Sequence, residues 1–346
     1  MKKLLLVAIV MLASFPAQAA VTLKIATVTP ENSGWMQQMR DSAEEIKQRT
    51  DGRVKIKYYG GGVMGNDTKV LGRIRIGSLQ GGAFTPTALA SQYSDLNLYG
   101  LPLIFDSEEE AAYVRERLDS KLQQGLEAAG FVNFGFAGGG FAVVMSNTPV
   151  DELEDLKGKK VWVPEGDSIS YASMEALSLS PVTLPLTDVL TGLQTGLIDI
   201  VAMSPIGALV LQWHTKIKYM TELPLVYTLG FMAVEKRAFE KIAAADQAIV
   251  REVMERTYRE FDEQNLKDNR EARDVLINVG IQSVPFEEEK YLAIRDVLAE
   301  SNQRLGSSGA FSAETYDEML GYIAEFRSLK ATGADQSPDA SGVATD

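Results

Sequence analysis

Hydrophobic and polar positions sort the chain into alternating runs and runs of helical period. Val21 to Thr27 alternates as a strand. Pro30-Glu31-Asn32-Ser33-Gly34 then opens a helix whose apolar and small positions recur at Trp35, Met39, Ala43 and Ile46. Val54 to Tyr59 alternates again until Gly60-Gly61-Gly62 breaks it, ahead of a helical stretch from Asp67 to Ile76. After Gly77, Gln80 to Thr85 reads as a short strand. Strands alternating with helices at this spacing predict βαβ units and a largely parallel sheet. Such sheets place ligands at the carboxyl ends of their strands.

The middle of the chain repeats this grammar. Val143 to Ser146 is apolar, Val150 to Leu156 is an acidic turn or helix, and Lys159 to Val163 is a strand stopped by Pro164-Glu165-Gly166-Asp167. A helix from Tyr171 to Leu177, a strand from Val182 to Pro185, a helix from Thr187 to Thr195 closed by Gly196, and a strand from Ile198 to Met203 follow. Together they predict a second α/β lobe, beginning where Gly138-Gly139-Gly140 loosens the chain. From Ala238 to Asn278 the chain passes without Gly or Pro, rich in Glu, Lys, Arg and Ala. That is long helix, either continuous, kinked or split, reaching about 60 Å and so able to brace both lobes. Tyr316 to Leu329 is a last amphipathic helix, and the small, polar stretch from Ala331 to Asp346 reads as a disordered tail.

Composition narrows the chemistry. In 346 residues, 34 Lys plus Arg stand against 47 Asp plus Glu, a net charge of -13 that repels nucleic-acid phosphate. Cysteine is absent and His214 is the single histidine. These counts exclude disulfide scaffolds, thiol nucleophiles and any metal site needing two His ligands, leaving only a carboxylate site. Glu108-Glu109-Glu110 and Glu287-Glu288-Glu289 have no second ligand group at metal spacing and read as solvated helix starts. Gly60-x-Gly62-x-x-Gly65 lacks the Gly-Lys-Ser/Thr ending of a phosphate loop, so it reads as a strand-ending ligand loop or a flexible turn. His214 sits in Gln212-Trp213-His214-Thr215-Lys216 with no Gly-x-Ser-x-Gly elbow elsewhere. A structural or surface histidine, no enzyme activity and no cofactor are the expectation.

The amino terminus adds a destination. Lys2 and Lys3 precede an apolar run from Leu4 to Leu12 and then Ala17-Gln18-Ala19, the pattern of a cleaved secretory signal peptide over residues 1–19. The run is about half of the roughly 20 residues that span a bilayer. Cleavage removes two lysines and no acid, moving the charge from -13 to -15. No Cys follows the cleavage site to take a lipid, so the mature protein is expected in the periplasm.

Several blocks in order carry a family resemblance: Lys24-Ile25-Ala26-Thr27, Pro30 and Trp35, Gly61-Gly62-x-Met64-Gly65, Leu101-Pro102-x-x-Phe105, Asp155-Leu156-Lys157-Gly158-Lys159-Lys160-Val161, and Leu193-Gln194-Thr195-Gly196-Leu197-Ile198-Asp199. Together they resemble the periplasmic solute-binding subunits of TRAP transporters, the DctP-like family, over nearly all of residues 20–328. The resemblance implies an α/β, two-lobed periplasmic binding protein fold with mixed β-sheets, crossing strands and a long helix bridging both lobes. It divides the chain into lobe I (20–141 plus 229–266), lobe II (142–228 plus 267–329) and a tail (330–346). It also implies closure on a ligand that is delivered to ion-gradient-driven membrane permease subunits.

The departures bear on the ligand. Members of the family typically carry an arginine in the strand after Asp-Leu-Lys-Gly that grips a ligand carboxylate bidentately; here that position is Trp162. A second arginine position holds Phe141, and the asparagine expected after the Leu-Gln-x-Gly-x-x-Asp strand is replaced by Met203 or Ser204. Trp162 and Phe141 either offer apolar area to an apolar or amphipathic ligand or merely fill the cleft floor. Around them the resemblance places Asn32, Trp35, Met64, Asn66, Phe84, Thr85, Phe105, Glu165 and Leu186, with Phe105 and Leu186 also readable as lobe core. Arg73 and Arg75 are alternative cations whose helical stretch favours surface exposure. The reading is a receptor for an apolar or amphipathic solute. The alternatives are a carboxylate receptor with a non-standard clamp and a periplasmic sensor for a signalling partner. The lost arginine also brings in the branch of such systems that uses a TPR-type periplasmic partner.

Overall fold

A computed structural model describes residues 20–334; the signal-peptide expectation over 1–19 and the tail beyond residue 334 lie outside the described residues. The first elements follow the alternation closely: β1 (Val21–Ala26), α1 (Gly34–Arg49), β2 (Val54–Tyr59), α2 (Asp67–Arg75) and β3 (Gly81–Phe84). The starts of both helices are chemically fixed. Ser33 accepts a hydrogen bond from the Met36 amide and Asn66 from the Lys69 amide, each satisfying an otherwise orphaned donor of a first turn. Next come α3 (Glu108–Ala128), β4 (Phe131–Asn133) and β5 (Ala137–Ser146).

The second α/β run comprises β6 (Trp162–Pro164), α4 (Ser168–Ala176), β7 (Val182–Leu184), α5 (Val189–Thr195), β8 (Ile200–Met203) and α6 (Pro205–Val210). Gly196 ends α5 at φ 69°, the left-handed conformation that glycine adopts without penalty. The acidic segment from Val150 contributes only a short 3-10 turn, Leu153–Leu156. The chain then forms β9 (Tyr219–Glu235), α7 (Lys236–Phe239), α8 (Ala244–Asn278), β10 (Gln282–Val284), α9 (Glu288–Ser307) and α10 (Ala313–Ala334). The Gly-free stretch is therefore split: α7 is separate, and α8 alone runs 35 residues, about 52 Å. Helix α10 extends through Ala334, so the first residues assigned to the tail are helical.

The sheet is mixed rather than largely parallel, as the resemblance implied and the alternation did not. Its order is β2-β1-β3-β9-β5-β8, with β4 and β10 also pairing β9, and β6-β7 form a separate parallel pair. β1 runs parallel to β2 and β3. β9 runs antiparallel to β3, β4 and β5. Its carboxyl half pairs β3 and β4, its amino half pairs β5 and β10, and β5 accompanies it across the junction. These two strands therefore tie the lobes together. Pro224 hides β9 from a sequence reading because proline lacks the ladder donor. The structure accommodates it where the pairing with β5 skips from Thr221 to Val226.

Burial follows the two-residue period of the strands. In the second lobe Val144, Ile200 and Leu223 enter a cluster with Val163, Met174 and Leu298, whereas Met145, Val201 and Met220 point to the other face, with Trp162, Val189 and Trp213. The first lobe has one large core of β1, β3, α1, α3 and the carboxyl half of β9, joined by Met319 and Ile323 of α10. Helix α8 spans both: Val250, Val253, Met254 and Tyr258 belong to the first core and Leu276 to the third cluster.

The glycine triplet in β5 has a packing cause. A Cβ on Gly138 would meet the Tyr227 hydroxyl and come within 3.0 Å of an Asp262 carboxylate oxygen, and one on Gly139 would lie 2.6 Å from Thr228 Oγ1. Gly140, at φ 75°, faces the Asn269 amide. The triplet lets the crossing strands and α8 approach closely, the opposite of a loosened chain. Gly140→Ala is expected to destabilise the protein by about 1–3 kcal/mol, since strain and overlap act together. A urea unfolding midpoint equal to the parent's would refute this.

Candidate functional site

Between the lobes lies a cavity of about 420 Å³. Its walls are the carboxyl ends of β1, β3, β6 and β8 together with the facing surfaces of β5 and β9, where an α/β sheet gathers ligand groups. Nine of the residues expected from sequence meet there: Trp35, Asn66, Phe84, Thr85, Trp162, Glu165, Leu186, Met203 and Ser204.

Four expected residues stand elsewhere. Asn32 is exposed in the turn ahead of α1. Met64 packs against the first core, and Phe105, 1% exposed, is part of it. Phe141 backs the cavity instead of lining it: its ring meets Tyr227 edge-on at 5.4 Å. Arg73 and Arg75 are exposed on α2, as their helical setting suggested. His214 also lies outside the lining, with Nδ1 3.3 Å from the Ala208 carbonyl.

Trp162 forms a rigid wall. Its indole packs edge-on against Trp213 at 5.3 Å and its Nε1 donates to the Leu184 carbonyl at 2.9 Å, so its N–H is already spent and only ring area faces the cavity. Trp35 is anchored similarly: Nε1 donates to Asn265 of α8 at 2.9 Å, and Asn265 donates in turn to the Gly138 carbonyl at 2.9 Å. Ser204 caps α6 by accepting from the Gly207 amide, and Asp167 caps α4 by accepting from the Ser170 amide at 3.0 Å and hydroxyl at 2.7 Å.

Sequence reading missed several members of the lining, chiefly Tyr227 and Thr228 on β9, Asn265 on α8, and Asp67 and Asp167. The β9 residues were hidden with their strand. Asn265 carried a usable signal, an amide on the helix face that buries Val250, Val253, Met254, Tyr258 and Phe261. Tyr227 is braced edge-on by Phe105 at 6.3 Å as well as by Phe141, and the buried Arg115 lies 5.9 Å from its ring.

The electrostatics are one-sided. Among the described residues the lining contains Asp67, Glu165 and Asp167 and no Lys, Arg or His. Burial, with the nearby Glu165 charge, pushes the Asp67 carboxyl up to about 6. Burial also raises Asp167, against the hydrogen bonds from Ser170. Arg115, a cation behind the Tyr227 wall, is committed elsewhere: it donates to Asp262 at 2.7 Å, Asp119 at 3.2 Å and the Phe136 carbonyl at 2.8 Å.

Comparison with known proteins bears on this geometry. The family model for bacterial extracellular solute-binding proteins, family 7 (DctP), matches residues 25–307. The 2,3-diketo-L-gulonate-binding periplasmic protein YiaO of Escherichia coli is 23% identical over 268 residues, 73% of this chain and 79% of that one. The galactonate complex of a sugar acid binding protein from Advenella mimigardefordensis superposes with a TM-score of 0.82 at 19% identity, covering 89% of this chain and 99% of that one. A TRAP periplasmic solute binding protein from Desulfovibrio salexigens with bound orotic acid gives 0.80 at 18% identity, covering 88% and 99%. Among the described residues no helix is long and apolar enough to cross a membrane.

Proposed function

The chain belongs to family 7 of the bacterial extracellular solute-binding proteins, and on that premise we propose that it is a periplasmic TRAP receptor whose cleft holds a small organic solute without an ion-pair clamp. TRAP solute-binding proteins take up small ligands and work with membrane permease subunits, and the family consists of binding proteins. Its mechanism here is capture and closure with no bond chemistry. The observation that carries the ligand reading is the lining: three carboxylates, no cation, and an indole wall where the resemblance implied arginine.

Two ligand classes fit this cleft. The relatives favour the organic-acid alternative over an apolar ligand, because the solved ones hold galactonate and orotic acid and YiaO is named for a sugar acid. An acid bound here would rest on neutral donors, such as the hydroxyls of Thr85 and Thr87 at the wall. The lining itself favours an apolar or amphipathic body, since Trp162, Phe84, Leu186 and Tyr227 supply ring and alkyl area and the acids repel a carboxylate. A TPR-type partner finds no support in these relatives. The nine expected residues that line the cavity and the lobe boundaries set out from sequence remain part of the proposal, and the packing of α10 on the first core favours moving that helix to lobe I.

Native mass spectrometry of the mature protein purified from its host, followed by calorimetry with galactonate, orotate and neutral aromatic solutes, tests the ligand class. An apolar or amphipathic ligand co-purifying, with weak or no binding of the two acids, is the expected result of the lining argument. Tight binding of either acid abolished by Thr85→Val would overturn it in favour of the neutral-donor acid reading.

A further inference from the structure

We infer that Asn66 and Glu165 form a clasp across the mouth of the cleft that holds the two lobes closed, and that Asp67 beside it makes the clasp proton-sensitive. The inference rests on the receptor reading above, in which the lobes open and close. Asn66 stands on the loop before α2 in the first lobe and Glu165 on the loop after β6 in the second, 99 residues apart in sequence. The Asn66 side-chain amide donates to Glu165 at 2.5 Å. A second contact lies beside it: Gly62, at φ 70°, leaves so little room that a Cβ there would sit 2.8 Å from the Thr187 methyl of the second lobe. The lobes are tied at the back by β5, β9 and α8, so contacts at the lip act at the greatest distance from the hinge and are the first lost on opening.

Asn66 is placed rigidly for this role. Its Oδ1 caps α2 by accepting from the Lys69 amide at 3.1 Å, which leaves the amide nitrogen free to point across the gap. Glu165 has no competing cation among the lining residues. Asp67, the next residue, is where closure meets a cost. Closing buries its carboxyl and brings it toward Glu165, and these two causes raise it to about 6, with no hydrogen bond to relieve it.

The charged groups around Asp67 set the direction. From the second lobe these are Glu165 and Asp167. Lys69 and Arg73 of its own helix are exposed, and Glu31 of the β1–α1 loop is taken up by Arg40 and the Gly60 amide. The end of β3 presents only the neutral Thr85 and Thr87. A carboxyl raised in the closed form and ordinary in the open form is protonated on closing. Closure is therefore favoured below the ordinary carboxylate value and opposed progressively as pH rises to about 6. Between about pH 5 and about pH 7.5 the closed-to-open ratio should fall by at most about tenfold.

The chain has no cysteine, so Ser78→Cys on the first lobe and Thr191→Cys on the second allow a pair of spin labels to report the distance between lobes in the ligand-free mature protein. The expected result is a short-distance population that is larger at about pH 5 than at about pH 7.5, reduced roughly threefold to tenfold by Glu165→Ala at both pH values. Asp67→Asn should keep the short population at both. Three results would each overturn the clasp: no short population in the parent, an unchanged one in Glu165→Ala, or a pH response that survives Asp67→Asn. Because no ligand is used, a wrong assignment of ligand class leaves this readout untouched.

Discussion

Replacing Arg115 with methionine is expected to destabilise the protein by about 3–5 kcal/mol near neutral pH, because it strips the cation from a buried cluster whose acids stay behind. Arg115 is 5% exposed. Burial works against its charge, and Asp119 and Asp262 beside it more than reverse that. It joins α3 to α8 through Asp262, and Asp262 also accepts from the Gly138 amide of the crossing strand at 2.7 Å, so the cluster fixes the base of the hinge behind Tyr227. The deficit should shrink in acid. Burial already raises Asp119 in spite of Arg115 and the bond from Tyr99. A carboxyl raised by folding opposes stability as pH climbs through its folded value, and removing the guanidinium raises it further. Urea unfolding of parent and variant at about pH 5 and about pH 8 checks this; equal losses at both pH values would remove the charge argument, leaving only lost packing.

Trp162→Ala should cost a similar amount, about 3–5 kcal/mol, and also open the cleft wall. The indole is 6% exposed, packs edge-on with Trp213 and donates to the Leu184 carbonyl, so truncation leaves a cavity beside Val189 and Val201 and that carbonyl with the Glu165 amide as its remaining donor. Trp162→Phe separates these effects, keeping a ring while removing the N–H, and should recover more than half of the lost stability. For whatever solute co-purifies with the parent, Ala should weaken binding at least tenfold beyond Phe, roughly the worth of buried aromatic area. A Trp162→Ala protein that unfolds at the parent's urea midpoint and retains its solute equally well would take Trp162 out of both the core and the site.

The cavity lining was legible wherever it lies at the end of a locally patterned element. Trp35, Asn66, Phe84, Thr85, Glu165 and Ser204 all follow a strand or open a helix, and alternation marks those ends without knowledge of the fold. Tyr227 and Thr228 were not legible because Pro224 and Gly230 break the pattern of β9, and only its pairing with β3, β4 and β5 makes that segment a strand. Phe141 stands outside the lining because β5 shifts register between Gly138 and Phe141, and a one-residue shift turns a side chain to the opposite face.

The sequence by itself determined the local elements of both α/β runs, the long helix, and the absence of thiol and multi-histidine chemistry. These follow from period, propensity and composition, which act over a few residues or over none in particular. Only the tertiary structure decided that Asn66 meets Glu165, that Trp162 leans on Trp213, and that Arg115 is claimed by Asp262, 147 residues away, instead of serving the cleft. Such meetings are set by where β5, β9 and α8 carry the chain between lobes, and by the desolvation that forces each buried charge to find a partner on whatever element arrives beside it.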